Sequence, residues 1–283
     1  MTNDMTRGRI LPQLIGFTIP LVLGNLFQLT YNAADSMIVG RYLGGQALAA
    51  VGTAGPIMNL AILFISGMCM GAGILMSTQY GAKQQDVLER QISTTLLSGL
   101  VFSFFVTLSM MVLAKPVLTL IRVPEEILDS ACGYLRIIFT GFLFTFAYNF
   151  FSSTLRALGD SKASLYFLVI SSVFNIAGDL LFVAVFRWGV NGSALATVLS
   201  QMICCLCCMI YIQKKVPLLR LGKRWLIFDK CLLSRTFSFG ITSALQLMCV
   251  QLGKVCVQSM VNMQGIAFMA AFTAVNRVDD FAL

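Results

Sequence analysis

Residues Pro20 to Gly40, PLVLGNLFQLTYNAADSMIVG, read as a membrane-spanning helix with a polar stripe. Asn25, Gln28, Asn32 and Asp35 follow one another at spacings of three, four and three. Residues three and four apart share a helix face. The stripe therefore ends in a carboxylate on a helix otherwise suited to lipid. An ionisable group within a bilayer is costly and marks a functional site by default. Working outward from this stretch, the question is what Asp35 faces.

Composition places the rest of the chain in the same membrane. Of 283 residues, 58% are hydrophobic and 11% charged, and the mean hydropathy is +0.84. Apolar runs recur at 10–39, 48–78, 92–114, 131–155, 163–186, 192–213 and 234–262, with another from about residue 265. Most exceed the ~20 residues a bilayer needs. The expected class is an all-α polytopic membrane protein. The formal charge of +8 does not mark a nucleic-acid surface, because the Lys and Arg lie between the apolar runs. The first run is too long for a cleavable signal peptide.

The basic residues set the topology instead. Arg7, Arg9, Lys83, Arg90, Arg156 and Lys162 fall on one side, with the dense cluster from Lys214 to Arg235. Fewer fall on the other, among them Arg41, Lys115, Arg122, Arg136 and Arg187. The positive-inside rule puts the N-terminus in the cytoplasm. The basic segment 214–233 divides an N-lobe of six helices (1–213) from the start of a second lobe (234–283). An internal repeat supports the division. A shift of 220 residues pairs Phe17 with Phe237, and Gly45, Ala47, Ala50, Thr53 and Ala54 with Gly265, Ala267, Ala270, Thr273 and Ala274. Both copies start in the cytoplasm, so the repeat is parallel, about an axis along the membrane normal. The second copy holds about one and a half helices and stops within an apolar run, which reads as a fragment of a longer protein.

Asp179, in SSVFNIAGDLLF, is a second intramembrane carboxylate, with Asn175 one turn before it on the same face. Ser193, Thr197, Gln201 and Cys204 line a face of the next span. At ~1.5 Å per residue, Asp35 lies about 8 Å below the outer surface, Asp179 about 12 Å and Thr197 about 9 Å. Three helices thus bring polar groups to one level. No Lys or Arg of the first six spans is placed there to neutralise the acids, so they must share protons or a cation. Pro20 interrupts the first helix's hydrogen bonding and marks a bend. Asn149 lies with Thr145, Tyr148, Ser152 and Arg156 on neighbouring faces of the fourth span, placed for cavity lining or packing. Gly67 and Gly71 have the spacing of close helix packing.

Other readings carry less. Cys204 and Cys208 share a helix face, but the chain has no His and the run is apolar. Neither metal nor disulfide is expected there, and no cofactor. An intramembrane enzyme would need a nucleophile–base pair or a metal site, which the sequence lacks. Lys254, in the middle of its span, requires an acid or a wet cavity.

Several motifs together resemble multidrug and toxic compound extrusion (MATE) transporters of bacterial type. They are Asp35-Ser36-Met37-Ile38-Val39-Gly40-Arg41 followed by Gly45-Gln46-Ala47-Leu48-Ala49-Ala50-Val51-Gly52, then Leu155-Arg156-Ala157-Leu158-Gly159-Asp160-Ser161-Lys162. Asn175 with Asp179, Gly192-Ser193-Ala194-Leu195-Ala196-Thr197, and Ala271-Phe272-Thr273-Ala274-Val275-Asn276-Arg277-Val278 complete the set. The resemblance implies twelve helices in two lobes around a cavity in the full-length protein. It also implies alternating access, and export of organic cations and drugs against inward H⁺ or Na⁺. It implies a cation-coupling site at Asp35, Asn175, Asp179 and Thr197, where Na⁺ could bind, and a hinge at Pro20. Asn25, Gln28, Asn32, Asn149 and Gln201 are then expected to line the cavity. The expected setting is the bacterial plasma (inner) membrane, with small-molecule partners and a monomeric full-length protein. One alternative is a lipid-linked saccharide flippase, which would want several cations in the cavity. Another is an inactive truncated chain.

Overall fold

The structure, a computed structural model, describes residues 9–216 and 227–282. The middle of the basic segment (217–226) and the N-terminal Arg7 lie outside the described residues, and Arg277 has no described side chain. Among the described residues the chain is helical without strands. The order is α1 (Ile10–Gly81), α2 (Gln85–Leu120), α3 (Glu125–Thr140), α4 (Phe142–Ala157), α5 (Ser161–Asp179), α6 (Val190–Lys215), α7 (Lys230–Asn262) and α8 (Ile266–Ala282). A π-turn, Leu180–Val185, follows α5 directly.

The first two expected spans form one run of 72 residues, about 108 Å at 1.5 Å per residue. That is several times the ~30 Å of a bilayer core. The run turns at Gly44, where φ is 84° and ψ −175°. A side chain at that φ would be strained, so glycine sets the break between 10–43 and 45–81. Pro20 keeps helical dihedrals within the run.

The fourth expected span, 131–155, is two helices instead. α3 and α4 meet at Gly141 with a bend of 48°. By length and composition α1, α2, α5 with its π-turn, and α6 can each cross a membrane, as can the bent pair α3–α4. α2 turns Val101, Phe104, Phe105, Leu108 and Val112 outward, as a helix facing lipid does. Inside, Phe139, Phe142, Phe146, Phe150 and Phe151 of α3 and α4 pack into the core with Leu88, Ile92 and Leu118 of α2.

Residues 45–81 and α7 cross on small side chains. A Cβ on Gly67 would come within 2.3 Å of Ala244 Cα, and one on Gly71 within 2.4 Å of the Gly240 nitrogen. Backbones this close explain the glycine spacing. Both ends of α7 are tied to the neighbourhood of α2. The Asp229 N–H donates to Thr94 Oγ1 at 3.0 Å, and Gln91 Nε2 donates to Thr236 Oγ1. At the far end Asn262 Nδ2 donates to the Ile121 carbonyl at 2.8 Å. The repeat-related segments 45–54 and 265–274 lie side by side, Gly45 against Ala270 and Gly52 against Thr273.

Candidate functional site

Asp35, Asp179, Asn175, Thr197 and Ser193 come together between α1, α5 and α6. Ser193 Oγ donates to Asp35 Oδ1 at 2.9 Å. Asp179 is fully buried, with Asp35 the charge that acts on it. Neither Asp179 oxygen has a hydrogen-bond partner. Below them Asn175 Nδ2 donates to Thr197 Oγ1 at 3.1 Å, leaving Asn175 Oδ1 buried and unpartnered. Three buried acceptor atoms without donors, beside a second carboxylate, form an acceptor-rich site. Leaving such atoms unmatched in the interior costs about 1–3 kcal/mol each, more when ionised. A proton or a hard cation with oxygen ligands relieves that cost.

The local fold explains the placement. α5 stays regular through Asp179 and then widens into the π-turn, a form concentrated at functional sites. Phe182, Phe186 and Trp188 stack beyond it, with Phe182 and Trp188 ring centres 5.2 Å apart. Sequence reading named Ser193 on a polar face but did not place it at the site. Its signal was its position one turn before Thr197.

A cavity of about 470 Å³ lies toward the N-terminal ends of α1 and α5 from this cluster. Pro20, Asn25 and Gln28 of α1, Asn149 of α4 and Gln201 of α6 line it. Asn32 is not among its lining residues; its backbone carbonyl accepts from Ser36 Oγ at 3.0 Å. Polar contacts knit the walls. Thr145 Oγ1 donates to Gln201 Oε1, and Asn149 Oδ1 accepts from Ser66 Oγ at 3.3 Å. The cavity reaches Tyr31, Ser171 and Gln201 at its outer end. Each is four residues from a member of the cluster: Asp35, Asn175 and Thr197 respectively. The cavity thus ends one helical turn from Asp35, Asn175 and Thr197 and two turns from Asp179.

Arg156, counted with the cytoplasmic charges, lines this cavity and an adjoining one of about 690 Å³. It is the one charged side chain lining the 470 Å³ cavity. Lys254 lines a third cavity, of about 350 Å³, with Asn59, Gln258 and Asn276. Cys204, Cys205 and Cys208 are buried in α6, and Cys204 Sγ donates to the Phe167 carbonyl at 3.2 Å.

A polytopic bundle with paired intramembrane acids beside a polar cavity defines the class as a membrane protein of transporter architecture. Comparison with known proteins narrows it: the MatE family model matches residues 20–181, and the chain belongs to that family. It is 36% identical over 282 residues to the probable multidrug resistance protein YpnP of Bacillus subtilis, covering 98% of this chain and 62% of that protein. It is 34% identical over 272 residues to the probable multidrug resistance protein YoeA of the same organism, covering 94% and 59%. The chain thus spans about three fifths of the length of these curated relatives. Among solved structures, a MATE protein in its straight conformation superposes with a TM-score of 0.85 at 23% identity, over 97% of this chain and 62% of that one. The fold is shared.

Proposed function

We propose that this chain supplies the first lobe, and the beginning of the second, of a cation-coupled exporter of drug-like molecules. The observation that carries the reading is Asp179, buried beside Asp35 and two helical turns along α5 from Ser171 in the cavity wall. Protonation of the pair, or Na⁺ bound among Asp35, Asp179, Asn175 and Thr197, lowers the energy of one arrangement of α1, α5 and α6. A ligand in the cavity touches the same three helices and biases the other. Such differential binding is what alternating access requires.

The relatives' names support a multidrug cargo, and the plasma membrane with a cytoplasmic N-terminus fits the basic loops. Residues 1–213 form the N-lobe, 214–233 the inter-lobe loop and 234–283 the start of the second lobe. Pro20, which lines the cavity, is placed to bend the first helix. A lipid-linked saccharide wants several cations for its pyrophosphate, and Arg156 alone lines this cavity.

The test is dye efflux from proteoliposomes carrying the intact transporter, driven in parallel by a proton and a sodium gradient. Asp35→Asn is expected to abolish gradient-driven efflux while leaving dye binding in place. Efflux at the wild-type rate would end the coupling role, and the active gradient names the ion.

A further inference from the structure

Arg156 is a guanidinium without an acid. It sits in the last turn of α4 and donates through one nitrogen to Ser152 Oγ at 2.9 Å. Among the described residues no carboxylate lies within 4.0 Å of it, the one such ion pair being Lys115 with Asp129 at 3.5 Å. The carboxylate nearest in sequence, Asp160, is already engaged. One of its oxygens accepts the Ala163 N–H at 3.1 Å, capping α5, and the other accepts the Tyr211 hydroxyl at 2.7 Å.

Arg156 is not needed to finish its own helix. The Gly159 N–H bonds to the Arg156 carbonyl at 3.0 Å and the Asp160 N–H to the Leu155 carbonyl at 2.9 Å. This is a complete Schellman closure, which satisfies the exposed carbonyls. Gly159, with φ of 85°, provides the left-handed residue it requires. A guanidinium carries five N–H donors, and one is committed to Ser152. The rest are left for the cavities that Arg156 lines.

Around it Ser66, Asn149 and Tyr148 offer polar edges, and Leu21, Leu165 and Leu168 offer apolar walls. The acid pair lies too far away to neutralise it. Ser152 Oγ donates to Ser164 Oγ at 3.0 Å, which sets Arg156 level with Ser164 on α5. From Ser164 to Asp179 is fifteen residues, about 22 Å along the helix. The cavity is therefore a polarised chamber, positive toward the cytoplasm and acidic beyond its outer end.

We infer that Arg156 is an anion anchor: the cavity takes amphipathic molecules that carry a carboxylate or phosphate, zwitterions included, with that group on the guanidinium. This deepens the export reading and rests on the same cavity, but not on the coupling role of the acids. Planar two-point recognition of carboxylate and phosphate is what arginine does best. An apolar body would lie along α1 and α5, and a cationic end of a zwitterion would point toward the acids.

A matched dye pair tests this. Rhodamine B has a free carboxylate; its ethyl ester lacks it and is otherwise alike. With the purified protein in detergent, the free acid is expected to bind at least about fivefold tighter than the ester. Arg156→Gln should weaken the free acid about tenfold, the worth of one charge-assisted pair, and move the ester less than about twofold. Arg156→Lys should keep part of the preference. Equal affinity for the two dyes in the wild type, or equal losses in Arg156→Gln, would overturn the anchor. The wild-type comparison decides the matter even if the Gln variant does not fold. Loss of ester binding from the wild type as well would count against the export reading itself. Added phosphatidylglycerol that displaces the free acid alone identifies lipid headgroups as the source of the anionic group. No displacement, with the arginine dependence kept, identifies soluble amphiphiles.

Discussion

The two halves of α1 share one helical run but are held by opposite means. Residues 10–43 leave Ile15, Ile19, Val22 and Leu26 exposed and bury few of their residues, Pro20, Gly24, Ala33, Ser36 and Val39 among them. Their specific contact with the interior is polar, Asp35 with Ser193. Residues 45–81 bury a continuous row that includes Ala49, Ala50, Ala54, Gly67 and Ala72, and their backbone touches α7 at Gly67 and Gly71. The first half can change its neighbours at the cost of hydrogen bonds. The second cannot without breaking a close-packed seam. The alternating access proposed above needs both kinds of contact, one to respond and one to hold.

The contrast can be broken most violently at the seam. Gly71→Val puts a branched side chain where even a Cβ meets the Gly240 backbone at 2.4 Å. We expect no monodisperse protein by size-exclusion chromatography, because neither backbone can retreat without separating α1 from α7. On the responsive side the same severity applies to function, not folding. Asp179→Asn should cut gradient-driven efflux by about a hundredfold or more, while the melting temperature stays level or rises. Asparagine keeps the size and polarity of the buried carboxyl and carries no charge to desolvate, but it removes the titrating group. A fall in melting temperature matching the lost efflux would make Asp179 structural.

Ser193→Ala should act more mildly. Asp35 loses a hydrogen bond, and efflux is expected to slow about threefold to tenfold with a stability change near 1 kcal/mol. The smallest effect belongs to Gly16→Ala. Nothing lies within 4 Å of the added methyl, and exchanging glycine for alanine in a helix gains about 0.5–1 kcal/mol. A slight rise in melting temperature with normal efflux is expected. A large loss would show that residues 10–43 are packed as tightly as the seam.

Much of this contrast was legible from residue order. Helical spacing put Asn25, Gln28 and Asp35 on one face, and depth along the helices brought Asp35, Asp179 and Thr197 to the level at which they meet. Spacing also marked Gly67 and Gly71 as a packing face. What failed to show followed from geometry that one-dimensional patterns do not carry. Hydropathy sees a continuous apolar run across Gly141 and cannot register a 48° bend. Nor can it register the widened turn after Asp179, because each residue there remains apolar. Arg156 closes an apolar span, so residue order left it both a loop charge and a candidate for cavity lining or packing, and tertiary packing puts it in the cavity wall. Asn32, on the same stripe, is not among the residues lining the 470 Å³ cavity.

The widened turn of Leu180–Val185 also bears on how this chain tolerates changes in length. A π-turn holds one residue more than the α-helical turn it replaces. It lets the connection to Trp188 and Gly189 be longer without rotating anything before it. Deleting one residue there would restore ordinary winding and swing the stacked Phe182, Phe186 and Trp188 by about 100° relative to Asp179. Those rings would turn away from their present direction while Asp179 stayed in register with α1. The extra residue works as a phase shifter between the aromatic cluster that follows it and the polar cluster whose angular alignment precedes it.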